Sequence, residues 1–159
     1  MPNIKLDNID LKILSILQRN CNLTTKELAL LVNLSTTPVF ERIKRLEKEG
    51  VIRRYVAILD MEKLNFGLVV FCNVKLKQVN YTTASEFTHA IAQMPQVTEC
   101  YNVSGEADYM LKVYVADMKG YQDFILNQLG KIECVSDIKS TFVLDTNKDE
   151  VGFQLPTMP

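Results

Sequence analysis

The stretch from Asn33 to Tyr55, NLSTTPVFERIKRLEKEGVIRRY, gathers Arg42, Lys44, Arg45, Lys48, Arg53 and Arg54 into a short window. Guanidinium and ammonium groups hold phosphate oxygens, Arg through a planar fork and Lys as a point charge. The same residues also fit a solvated face laced with salt bridges. Glu41 with Arg45, and Glu47 with Lys44 and Lys48, would then supply helix pairs worth about 0.3 kcal/mol each. A second stretch, VSGEADY at 103–109, reads as a hairpin turn in which Gly105 supplies backbone freedom and Asp108 caps the bend. Its carboxylates, Glu106 and Asp108, have no acid–base partner in view. His89, the one histidine, has no Cys, Asp or second His at metal spacing and reads as a surface or packing residue. No phosphate-binding loop, nucleophile elbow or dinucleotide fingerprint occurs. No enzyme chemistry, metal or cofactor is expected.

Charge is distributed unevenly along the 159 residues. Residues 1–60 carry ten Lys/Arg against seven Asp/Glu, and residues 61–159 carry eight against twelve, so a part at +3 joins a part at −4. The division suggests two jobs in one chain. At 47% hydrophobic and 23% charged residues, the composition is that of a globular protein. No apolar run approaches a membrane span, and no basic-flanked apolar leader is present, so a cytoplasmic location with no membrane partner is expected. Cys21, Cys72, Cys100 and Cys134 are widely spaced without a C-x-x-C pair and are expected to be buried, reduced thiols in a cytoplasmic protein, the alternative being disulfide pairing in an oxidising compartment.

Three short helices position the basic window. Asp7 caps the first, which buries Ile9, Ile13, Leu14, Leu17 and Ile16, with Asp10 facing the positive end of its dipole. Thr24 and Glu27 form a capping box for the second, whose stripe is Leu28, Leu31 and Val32. Asn33 suits the left-handed residue that ends it. Ser35 caps the third helix, where Val39, Ile43 and Leu46 point inward and Thr37, Glu41, Lys44, Arg45 and Lys48 outward. Pro38 falls in the first turn, where no N–H is needed, and Gly50 ends the helix. Two helices joined this tightly, after another helix, make a helix-turn-helix.

From Val51 the period changes. VIRRYVAILD and FGLVVFCNVKLKQ read as strands, the second with Val70, Cys72, Val74 and Leu76 alternating against Phe71, Asn73, Lys75 and Lys77. Then come a helix burying Phe87, Ile91 and Met94, two strands folded about Gly105, a helix burying Tyr121, Phe124, Ile125 and Leu129, and a last strand, CVSDIKSTFVLD. The order βαββαβ is that of a ferredoxin-like sandwich. The tail beyond Asp145, ending among Pro156 and Pro159, lacks periodicity and is expected to be mobile.

With these elements in place, LDNIDLKILSILQRN, LSTTPVFERIKRLEKEGVIRRYVAILD and VSGEADYMLKVYVADMKGY resemble the bacterial Lrp/AsnC regulators, especially the leucine-responsive branch, from about Leu6 to Leu144. Two departures are Thr36, where such proteins often have Pro, and Asn33, where Gly is common. The resemblance implies an α+β chain. It would comprise a winged helix-turn-helix DNA-binding domain at 1–50, a wing or β-linker at 51–65, a ferredoxin-like effector-binding and oligomerisation domain at 66–145, and a tail at 146–159. It implies a sequence-specific transcriptional regulator that binds double-stranded DNA and a free amino acid, and forms homodimers that often assemble into octamers.

In the implied docking, the first turn of the third helix enters the major groove. Ser35, Thr36, Thr37, Glu41 and Lys44 would reach bases, while Arg42, Arg45, Lys48, Arg53 and Arg54 hold phosphates. The resemblance also places an amino-acid pocket between dimers beside the 103–109 loop. Its implied residues are Gly105, Glu106, Asp108 and Tyr109, with Asp108 pairing with the ligand ammonium, and Ser136, Ile138 and Ser140 on one face of the last strand. Ile138, where many relatives carry Thr, favours an aliphatic or sulfur-containing effector such as leucine or methionine. Phe71, Tyr101 and Tyr109 serve as interface or core. Two alternatives share these elements. One is an architectural DNA protein with no effector. The other is a siroheme-decarboxylase-like enzyme, which a single histidine disfavours.

Overall fold

The computed structural model describes residues 4–150 and 152–156. The chain forms two compact units, residues 1–58 with 148–159 and residues 59–147.

In the first unit, α1 (Asn8–Leu17), α2 (Thr25–Val32) and α3 (Thr36–Lys48) pack around Ile13, Leu28, Ala29, Val32, Val39 and Leu46. Ile9, Leu14, Ile16, Leu17 and Ile43 border this cluster. Local chemistry sets the helix ends. Asp7 and Asp10 form a capping box on α1, and Thr24 and Glu27 form another on α2. Asn33 closes α2 in the left-handed conformation at φ 56°, so the chain turns within two residues to the α3 cap at Ser35. The Ser35 hydroxyl itself makes no capping hydrogen bond, unlike the expectation, so the backbone alone starts α3. Leu31, expected on the inward stripe, is half exposed. The segment after α3 departs from the strand expected at VIRRYVAILD, because residues 53–60 pair with no strand among the described residues. Tyr55, Val56, Ile58 and Leu59 are left exposed.

Residues 152–156, at the end of the tail expected to be mobile, lie on α1. The Phe153 N–H donates to Gln18 Oε1 at 3.2 Å, and Gln18 Nε2 donates to the Phe153 carbonyl at 3.4 Å. Gly152 has φ 100°, and a Cβ there would come within 2.9 Å of Gln18 Oε1, so only glycine suits the turn. Leu155 and Pro156 line a cleft with Leu11, a buried α1 residue outside the three-helix core. Pro159 lies outside the described residues.

The second unit is an antiparallel sheet of β1 (Leu68–Leu76), β2 (Val97–Asn102), β3 (Tyr109–Val115) and β4 (Val135–Phe142) in the order β2-β3-β1-β4, with two helices on one face. Its elements in chain order are β1, α4 (Tyr81–Ala92), β2, β3, α5 (Met118–Asn127), a 3-10 turn (Leu129–Lys131) and β4. This is the ferredoxin-like arrangement. Val70, Cys72, Val74 and Leu76 of β1 and Leu111, Val113 and Val115 of β3 meet Phe87, Ile91, Tyr121 and Phe124 of the helices. Phe87 and Phe124 are fully buried, each worth about 2–3 kcal/mol of apolar transfer. The alternate positions, among them Phe71, Asn73, Lys75, Met110, Lys112 and Tyr114, occupy the other face, where no helix packs.

Cys72 and Cys134 are buried, but Cys21 and Cys100 are exposed, which corrects the expectation that all four thiols are interior. All four are unpaired. His89 is exposed near the end of α4, and no described group of His, Cys, Asp and Glu is arranged to hold a metal ion. No described helix is long and apolar enough to cross a membrane.

Candidate nucleic-acid interface and effector region

With Val39 and Leu46 fully buried, α3 turns Ser35, Thr36, Thr37, Phe40, Glu41, Lys44, Arg45 and Lys48 to solvent. Arg53 and Arg54 are exposed just beyond it. Two of the expected phosphate contacts have partners inside the protein. Asp10, completely buried, accepts from Arg42 Nη1 at 2.7 Å and from Arg45 Nη2, and Arg42 also reaches Asp7 at 2.6 Å. Arg45 therefore pairs with α1 and not with Glu41 one turn away. The two carboxylates raise the affinity of Arg42 for its proton. At Asp7, burial opposes ionisation, but the Asp10 amide and Arg42 outweigh it and hold the carboxyl below its ordinary range. A buried carboxylate bridging two guanidiniums fixes the rotation of α3 about its own axis against α1.

The other flank of α3 is held more loosely. Lys44 Nζ meets Glu47 at 2.8 Å, in an exposed pair of the kind that contributes little and exchanges readily for a phosphate. Glu47 also accepts from the Tyr55 hydroxyl at 3.0 Å, tying the segment after α3 to the helix. Although the Tyr55 side chain is half exposed, desolvation of its hydroxyl and the bond to Glu47 push its pKa up to about 12. On and just after α3, Lys48, Arg53 and Arg54 make no ion pair among the described residues, and with the exchangeable Lys44 they form a cationic set that has Thr37 and Glu41 between its members. The sequence reading missed the Asp7–Asp10 clasp. Its signal was two acids three residues apart at the start of a helix that precedes a basic one. Phe40 was also missed. Its signal was an aromatic residue about 100° from the buried stripe.

The seven residues expected at the effector pocket are not brought together within one chain. Gly105, at φ 132°, opens the β2–β3 loop, where Glu106 is exposed and bonds Lys139 Nζ at 3.2 Å. With Asn73, Lys75, Met110 and Asp137, this region borders an open cleft of about 340 Å³ on the helix-free face. Asp108 is half-buried and bonds the Leu76 N–H at 2.8 Å, while its own backbone pairs with Val74 and Val103. Its carboxylate thus already holds the end of β1. Tyr109 is only 5% exposed and stacks on Phe87 with ring centroids 4.6 Å apart, so its ring belongs to the core and not to a pocket.

Register separates the remaining three. Ile138 lies opposite Val74 and Ser140 opposite Cys72, both on the helix-covered side. Ser140 there shares a hydrogen bond with the Tyr121 hydroxyl, which also contacts Cys72 Sγ at 3.2 Å. Burial raises the Tyr121 pKa well above the usual phenol value. Ser136 falls at a bulge and donates to the Lys75 carbonyl at 3.0 Å. The bulge breaks the strict two-residue period that would have aligned it with Ile138.

The comparisons with known proteins divide at the same place. Residues 6–53 match the winged helix-turn-helix DNA-binding family, and residues 69–153 match the Lrp/AsnC ligand binding domain. The DNA-binding transcriptional activator DecR of Escherichia coli is 38% identical over 143 residues, covering 90% of this chain and 94% of that protein. The leucine-responsive regulatory protein of Haemophilus influenzae is 40% identical over 146 residues, covering 92% and 88%. Among solved structures, the transcriptional regulator NMB0573 of Neisseria meningitidis in complex with L-Met superposes with a TM-score of 0.89 at 36% identity, covering 96% of this chain and 97% of that one.

Proposed function

This chain belongs to the Lrp/AsnC family of DNA-binding transcriptional regulators, and from that premise we propose that α3 reads operator bases while the sheet unit takes a free amino acid where subunits meet. The observation that supports base reading most strongly is the clasped α3, whose outward band is solvent-exposed and flanked by Lys44, Lys48, Arg53 and Arg54. In this reading Ser35, Thr36, Thr37, Glu41 and Lys44 face base edges, Glu41 accepting from a cytosine amino group. Lys48, Arg53 and Arg54 hold phosphates, and Arg42 and Arg45 act through Asp10 as positioning residues. So few free cations bind one half-site weakly, which favours paired α3 helices on a homodimer, with sites one helical turn apart. The protein works where the chromosome is, in the cytoplasm, and the reading assigns it no catalytic step.

The division of the effector residues between the two faces of the sheet supports a pocket completed by another subunit. The Gly105–Glu106 loop of one chain and the Ile138–Ser140 edge of another can then meet, since β4 is an edge strand. Phe71, Tyr101, Met110 and Tyr114 on the helix-free face are suitable contact surface for a second copy. The apolar Ile138 wall favours an aliphatic or sulfur-containing amino acid, and the L-Met complex of the meningococcal relative agrees with that class. Regulation follows if the ligand binds one assembly more tightly than another.

Titration calorimetry with a panel of amino acids, alongside thermal melting, tests this reading. Leucine or methionine is expected to bind and, at a hundredfold excess over its Kd, to stabilise the fold by about 2.7 kcal/mol. Binding of an acidic amino acid alone would contradict it. Amino acids that alter neither melting nor footprint would support an effector-free architectural protein instead.

A further inference from the structure

Phe40 is 50% exposed on α3, whose buried residues are Val39 and Leu46. A lone exposed aromatic is ordinary on a protein surface. Its position gives this one meaning. The Asp10 clasp holds the Arg42 flank of α3 against α1, and Phe40 lies on the opposite flank, about 160° away around the helix. Thr37 and Lys44, one turn before and after it, and Glu41 beside it are the groups that face bases in the proposed docking. The Lys44 ammonium lies 5.8 Å from the Phe40 ring centroid, within cation–π range, so the two side chains form one patch. Base edges in the major groove present hydrogen-bond donors and acceptors and one apolar group, the thymine 5-methyl. Thr, Glu and Lys read the polar features, and an exposed phenyl ring among them is complementary to the apolar one.

We propose that Phe40 is a specificity-determining residue that recognises a thymine through its 5-methyl group in each operator half-site. The inference rests on the DNA-reading assignment of α3 and adds a base identity to it. Lys44 plays two parts in this patch. Unbound, its ammonium pairs with Glu47 at 2.8 Å and lies 5.8 Å from the ring centroid. On docking it moves to a base or phosphate and leaves the ring free to pack on the methyl.

The test uses the full-length protein and duplexes that it selects from a random pool. Each thymine is replaced singly by 2′-deoxyuridine, which removes only the methyl group. At one thymine per half-site the replacement is expected to weaken wild-type binding about fourfold, and about 15-fold when both half-sites carry it. Phe40→Ala is expected to bind more weakly and to be indifferent to the replacement, whereas Phe40→Leu keeps most of the sensitivity. Unchanged thermal melting of both variants shows that the fold is retained, as the half-exposed ring implies. Wild-type binding that ignores every deoxyuridine, or a Phe40→Ala variant that stays as sensitive as wild type, would overturn the inference while leaving the DNA-reading assignment intact. A Phe40→Ala variant equally weakened on every duplex, with thymine sensitivity preserved, would place the ring on the sugar–phosphate backbone and overturn it too. A pool that yields no enriched sequence would instead overturn the underlying assignment.

Discussion

Replacing Asp10 with Ala is expected to destabilise the amino-terminal unit by about 3 kcal/mol and to abolish operator binding. Removing one partner of a buried ion pair costs about 3–5 kcal/mol, because the other charge is left without compensation. Here the stranded groups, Arg42 and Arg45, are partly exposed and can turn toward water, which places the loss at the low end. The same substitution deletes the Asp10 side chain that receives the Asp7 N–H at 3.0 Å, half of the α1 capping box. The sheet unit has its own core and is expected to keep its stability. Chemical denaturation followed by probes in each unit checks this. An early first transition with an unchanged second is the expected pattern, and coincident unshifted transitions would show that the clasp carries no weight. Arg45→Ala leaves Asp10 with Arg42 and is expected to cost less than Asp10→Ala.

Lys44→Ala combined with Lys48→Ala is expected to lower operator affinity by at least two orders of magnitude without altering stability. Both side chains are exposed, and the Lys44–Glu47 pair contributes little to the fold. Each lost phosphate contact reduces the slope of log affinity against log salt by about 0.9. A dimer loses each contact twice. The double variant is therefore expected to flatten that slope by up to about 4 if both lysines touch phosphate, and by about 2 if Lys44 touches a base edge instead. Affinities measured across a range of salt concentrations separate the two cases. An unchanged slope would remove α3 from the interface.

Much of this organisation is legible in the sequence because it depends on near neighbours. The Thr24–Glu27 box, the left-handed Asn33 and the alternation of Val70, Cys72, Val74 and Leu76 each follow from side chains a few residues apart. The order of elements then leads to the sheet topology. Features that depend on distant partners are not legible in this way. Arg42 and Arg45 read as free cations until Asp10, more than thirty residues earlier, is found beneath them. Leu11 departs from the inward stripe of α1, and it is buried where it lines a cleft with Leu155 and Pro156 from the tail. Strand register has the same effect at the effector region. Ser136, Ile138 and Ser140 share a face by counting, yet a bulge at Leu76 displaces Ser136, and the loop cleft opens on the other side of the sheet. Tyr109 belongs to the VSGEADY stretch by sequence and to the core by packing on Phe87. The segment 53–60 has the composition of a strand, but strand structure requires a second strand beside it, and the described residues supply none.

The most direct test of the account is dimethyl sulfate protection on a duplex selected by the full-length protein. The reagent methylates guanine N7 in the major groove and adenine N3 in the minor groove. If α3 lies in the major groove of each half-site, N7 protection should appear in two patches about 10 base pairs apart, with adenine N3 still reactive between them. Protection confined to adenine N3, or binding that shields no guanine N7 at all, would contradict it.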